Sequence, residues 1–140
     1  MVRRKPTVEM RAGRMARNAA KIIRKHGWSK GAAQDKKGGL CVRAAFAAAY
    51  EGTQHAGNNW ARNEGPVGET CKVFRNWLFE DYEERFALSD DLGIVHGWND
   101  TPSGKWKGEL AETAKFLPPD SAEEIIAILD KFADEMDPQR

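Results

Sequence analysis

Three features of the sequence predict an all-α chain, folded as a single compact domain of about five helices with long polar loops. Apolar residues recur at three- and four-residue spacing in several segments, and no segment alternates apolar and polar residues convincingly enough for a strand. Ser121 to Glu124 forms an S-x-x-E capping box ahead of a final amphipathic run. With 140 residues the chain is long enough for one buried core. Residues 1–140 therefore read as one helical domain, with a basic tail at 1–6 and a flexible polar loop at 52–68.

The elements follow in order. From Thr7 to His26, Val8, Ala12, Met15, Ala19, Ile22 and Ile23 share one helix face, Thr7 is the expected N-cap, and Gly27 is the expected left-handed stop. The other faces carry Arg11, Arg14, Arg17, Lys21, Arg24 and Lys25. The Gly- and Lys-rich SKGAAQDKKGG is a loop, and LCVRAAFAAAYE is a short Ala-rich helix. Residues 52–68 hold four glycines and a proline, which predicts a long connection around Trp60. From Glu69 to Phe86, Val73, Phe74, Trp77, Leu78, Tyr82 and Phe86 predict the central helix. ALSDDLGIVHGWNDTPSG reads as loop or turn, and KWKGELAETAKFL as a helix that Pro118 and Pro119 stop. The last helix buries Ile125, Leu129, Phe132 and Met136 on one side.

Charge is divided along the chain. Residues 1–43 carry thirteen Lys and Arg against two acids, whereas residues 44–140 carry nine against nineteen, so a net of +11 faces a net of −10. Such polarity either steers an anionic partner to one face or is neutralised when the halves pack together. No run of about eighteen apolar residues is present to span a membrane. The basic start also lacks the apolar middle of a secretory signal, so a cytoplasmic protein without a membrane partner is expected. Cys41 and Cys71 form no C-x-x-C pair, which predicts buried free thiols rather than a zinc knuckle or a disulfide framework. Among His26, His55 and His96 no two share a helix turn, so no metal is expected, and no cofactor either.

His-Gly-Trp occurs twice, at His26 and again seventy positions later at His96. Without gaps, residues 26–46 match residues 96–116 at eight of twenty-one positions, but the match ends on both sides, unlike a repeat of a whole structural unit. It suggests two similar corners, each with a Trp. If the corners converge, His26, Trp28, Asp35, His96, Trp98, Asn99 and Asp100 surround one Trp-lined cleft able to orient a polar ligand. The alternative is two tryptophans that pack into the core independently, with Asn99 and Asp100 serving as turn formers.

The stretch KIIRKHGWSKGAAQDKKGGLCVRAAFAAA, the later WNDTP and the closing SAEEIIAILDKFADEM resemble a family of small, uncharacterised bacterial and bacteriophage proteins. The matching positions are Gly27, Trp28, Gly31, Ala32, Asp35, Gly39 and Cys41, then Trp98, Asn99, Asp100 and Pro102. The chain departs from that pattern at Val42-Arg43-Ala44, where a Gly-Ala pair is expected after the Cys, and in the Trp106 segment before the last helix. The resemblance implies no assigned activity. The expected function is a small non-enzymatic binding protein, a bacteriophage accessory product acting on a host protein or nucleic acid through the basic first helix and the Trp-lined cleft. The alternative is a small hydrolase-like enzyme, with Asp100 or Asp35 as base near His26 or His96 and Cys41 or Cys71 as nucleophile.

Overall fold

The computed structural model describes residues 5–30, 39–51, 65–79 and 93–138. The described elements are α1 (Val8–His26), α2 (Val42–Glu51), α3 (Gly65–Leu78), α4 (Gly93–Asp100), a 3-10 turn (Ser103–Lys105), α5 (Glu109–Thr113) and α6 (Ala122–Met136). Apart from the isolated bridges Trp28–Leu40 (parallel) and Phe79–Ala114 (antiparallel), the described residues contain no strand. The all-α expectation holds, and helix-to-helix packing joins α1, α2, α3, α4 and α6 into one body.

Local chemistry sets the two long helices. Thr7 Oγ1 accepts from the Met10 amide at 3.1 Å, so α1 starts at the expected N-cap. Ser121 Oγ accepts from the Glu124 amide, while Glu124 Oε2 reaches back to accept from the Asp120 amide at 2.6 Å. The second arm of the capping box thus lands one residue upstream of the cap itself.

α1 packs mainly against α6, and then against α2 and α3. Small side chains make this close: Ala12, Gly13, Ala16, Ala19 and Ala20 are buried on α1, and Ala44, Ala45 and Ala48 on α2. A Cβ at Gly13 would sit 2.9 Å from Asp137 Cβ and 3.0 Å from the Asp137 amide nitrogen. The centre of the core is Phe74 of α3, whose ring lies 5.8 Å from Phe46, 5.8 Å from Trp98 and 5.2 Å from Phe132. Four helices therefore meet on one aromatic cluster.

The same packing disposes of the charge asymmetry. Arg17 donates to Asp137 at 3.0 Å and pairs with Asp134, Arg14 reaches Asp137 at 3.4 Å, and Arg24 meets Asp130 at 2.6 Å. Arg11 approaches Glu69 of α3 at 3.7 Å. The basic first helix and the acidic last one neutralise each other, leaving Lys21 and Lys25 exposed.

Four local expectations need correction. Residues 65–68, assigned to the polar loop 52–68, form the start of α3, because Pro66 in a first helical turn sacrifices no hydrogen bond; residues 52–64, with Trp60, lie outside the described residues. α3 ends at Leu78, where Phe79 bridges to Ala114 and Leu78 O accepts from the Lys115 amide at 2.7 Å; residues 80–92, with Tyr82 and Phe86, lie outside the described residues. That bridge also limits the helix expected from Lys105 to Leu117 to the five residues of α5. Finally, His96-Gly97-Trp98 lies inside α4 and is no turn.

Candidate functional site

The first His-Gly-Trp is a chain corner. Gly27 has φ +97°, its amide donates to Ile23 O at 2.7 Å, and its carbonyl accepts from the Leu40 amide at 3.0 Å. The Ser29 amide in turn donates to Leu40 O at 3.0 Å, so the chain comes back beside the corner just before α2. At that point Cys41 precedes the first residue of α2, and its Sγ accepts from the Ala44 amide at 3.4 Å in the manner of an N-cap.

Asn99, at the end of α4, ties these pieces together. Its Oδ1 accepts from Trp28 Nε1 at 2.8 Å and from the Val42 amide at 3.2 Å. Its Nδ2 donates to Ser29 O at 3.0 Å and to Asp100 Oδ1 at 2.8 Å. All four hydrogen-bonding positions of the amide are engaged in a site only 1% exposed. The side chain is a clamp between the first corner, the start of α2 and α4, and it has nothing left to offer a ligand.

The two corners thus converge, but asymmetrically. Trp28 is half-buried, with Lys30 Nζ 5.2 Å from its ring centroid. Trp98 is fully buried against Phe74, and its Nε1 donates to Phe116 O at 3.1 Å. It is part of the core and does not wall a cleft. His26 is the half-buried last residue of α1, and Asp100 is half-buried beside Asn99. Asp35 and the side chain of His96 lie outside the described residues.

Next to the clamp is a polar cluster that the sequence did not single out. Lys30 Nζ donates to Pro119 O at 2.7 Å and lies 3.9 Å from Asp120. Burial holds the Lys30 ammonium below its ordinary pKa, against the opposing pull of Asp120, Asp100 and Glu124. Hydrogen bonds from the Ser103 hydroxyl and amide lower the pKa of the exposed Asp120 carboxyl, with Lys30 adding to the effect.

A groove opens beside this cluster. Its volume is about 390 Å³, and Ser103, Phe116, Leu117, Asp120, Glu124 and Ile128 are among its lining residues. Leu117 is 56% exposed, so the apolar lining of the groove is open to solvent there. The signal in the sequence is Leu117 ahead of Pro118-Pro119, since a residue before proline is pushed toward extended backbone.

The interior holds further chemistry. Burial raises the pKa of both thiols, Cys71 up to about 11, with Arg43 partly opposing the shift. Protonated thiols are poor nucleophiles, which argues against the cysteine-based enzyme reading. Arg43 and Arg75 are buried and engaged within the protein, Arg75 Nε donating to Asn76 Oδ1 at 3.1 Å. No periodicity marks an arginine as inward-facing, so the sequence was silent on both. Among the described residues, no group of three or more His, Cys, Asp or Glu is placed to hold a metal ion, and no helix is long and apolar enough to cross a membrane.

No curated protein and no solved structure matches the chain significantly. A sequence-family model does, over residues 9–135, from α1 to the last turn of α6. The chain belongs to the family of unknown function DUF6197.

Proposed function

We propose that this chain is a small, non-enzymatic binding protein whose partner is another protein. The observation that carries this reading is the apolar groove at Leu117, where a large side chain stands 56% exposed beside Phe116, Pro118 and Ile128. A protein partner is favoured over nucleic acid because Arg14, Arg17 and Arg24 of the basic helix are already paired with carboxylates of α6 and its end. A phosphate would have to compete with those pairs. A bacteriophage or bacterial accessory role in the cytoplasm belongs to the same proposal. It rests on the resemblance of the Trp28 and Trp98 motifs and on two buried, reduced cysteines, which suit a reducing compartment.

The test is affinity capture from a bacterial lysate with the wild type and with Leu117→Asp. The variant is expected to melt within a degree or two of wild type, because the side chain is largely in water, and to lose the captured protein. Capture that survives the substitution, or that is replaced by nucleic acid released at moderate salt, overturns the reading.

A further inference from the structure

The Leu117 groove has a counterpart across α6. On the side facing α1, a second groove of about 560 Å³ is lined by Ile23, Gly27, Ala122, Glu123, Ile126 and Asp130, among others. Both grooves include Ala127, which is exposed, so at that point the crest of α6 is a single methyl group, between Glu123 one turn before it and the exposed Lys131 one turn after it. A low crest with a furrow on each side is the relief into which the side-chain ridges of a second helix fit. The rim is acidic: Asp120 and Glu124 border one groove, Glu123 and Asp130 the other. Arg24 answers Asp130 at 2.6 Å, and Lys30 stands 3.9 Å from Asp120. With the exposed Lys131 one turn beyond Ala127, Glu123 and Glu124 leave the negative charge concentrated at the Asp120 end of this face, over an apolar floor.

Resting on the binding-protein reading, we propose that this face of α6 docks a cationic amphipathic helix of the partner protein. Its apolar stripe crosses Ala127 and places side chains in both grooves, and its Lys and Arg residues face Glu123 and Glu124. Apolar contact supplies the binding, and the charges select the partner and speed its encounter. A second copy of this chain would be a poor occupant. A two-fold contact would set the same acidic rim against itself.

The test uses a labelled amphipathic Leu/Lys peptide of about 18 residues, roughly five helical turns. Two controls accompany it, a scrambled peptide of the same composition and a Leu/Glu counterpart. Fluorescence anisotropy with the full chain is expected to show binding of the amphipathic Leu/Lys peptide alone, weakening with salt. Ala127→Arg is expected to weaken it at least tenfold, and Glu123→Gln about threefold with a shallower salt dependence, both with unchanged melting. Equal binding of the scrambled peptide, indifference to both substitutions, or concentration-dependent dimerisation that buries Ala127 overturns the proposal. So does lysate capture that Leu117→Asp abolishes while Ala127→Arg and excess Leu/Lys peptide leave it intact, an outcome under which the binding-protein reading stands. Capture that survives Leu117→Asp removes that reading as well.

Discussion

The indole Nε1 of Trp28 donates to Asn99 Oδ1 at 2.8 Å across seventy-one residues of sequence, and this bond joins the two His-Gly-Trp segments. Trp28 and Asn99 both fall within the sequence motifs that define the chain's resemblance, yet their contact is internal. The motif maintains the junction of α1, α2 and α4.

Asn99→Leu keeps the volume of the clamp and removes its polar atoms. Trp28 Nε1, the Val42 amide and Ser29 O then lose a partner at once, the last two in a buried site. At about 1–3 kcal/mol for each orphaned buried group, the loss in urea unfolding is expected to be about 3 kcal/mol or more. Trp28→Phe combined with Asn99→Leu is expected to cost less than the sum of the two. Strict additivity would show that the bond does not couple the corners.

Gly13 and Gly97 are both helical glycines and make a discriminating pair. Gly13→Ala would place a Cβ 2.9 Å from Asp137 Cβ and 3.0 Å from its backbone nitrogen, so the end of α6 must move. A net destabilisation of about 1–3 kcal/mol is expected despite the better helix propensity of alanine. A Cβ at Gly97 meets nothing within 4 Å, so Gly97→Ala is expected to stabilise by about 0.5–1 kcal/mol. Thermal melts of the two variants should therefore move in opposite directions.

The ion pairs between α1 and α6 are unequal. Arg17 and Asp137 have side chains only 13% and 10% exposed, and Arg17 also donates to Asp137 O at 2.8 Å. Asp137→Asn is expected to cost about 2 kcal/mol, and the cost should persist at about 0.5 M salt because the pair is largely withheld from solvent. Arg24 and Asp130 are 54% and 36% exposed, so Asp130→Asn should stay within about 0.5 kcal/mol of wild type. Equal losses would contradict the burial difference.

Cys71 predicts an alkaline limit to stability. Its pKa rises from 9.0 to about 11 on folding. Between those values the unfolded chain has released the thiol proton and the folded chain has kept it, so stability falls as pH rises. The contribution is complete below about pH 9 and is lost progressively toward pH 11, at about 1.4 kcal/mol for each pH step of one across that interval. Cys71→Ala should flatten that part of the pH profile. In the native state both thiols should react with a disulfide reagent only as fast as the protein opens, and full labelling within seconds at neutral pH would place them at the surface.

The sequence by itself determined the elements whose signals are local. Thr7, the α1 face and Gly27 set the ends of the first helix, the box at Ser121 to Glu124 opens the last, and the helical periods identified the all-α class, since each lies within a few residues of what it controls. Tertiary structure decided the rest. The same tripeptide is a stop at Gly27, where φ is +97°, and part of a helix at Gly97, because neighbours far along the chain decide which conformation is satisfied. The Phe79–Ala114 bridge likewise shortened a helix whose apolar spacing was correct. Whether the basic face of α1 meets a ligand or the acids of α6 depends on which helices pack together, a long-range choice that side-chain spacing along one helix does not encode. The placing of Ala127 between two grooves follows from that same packing.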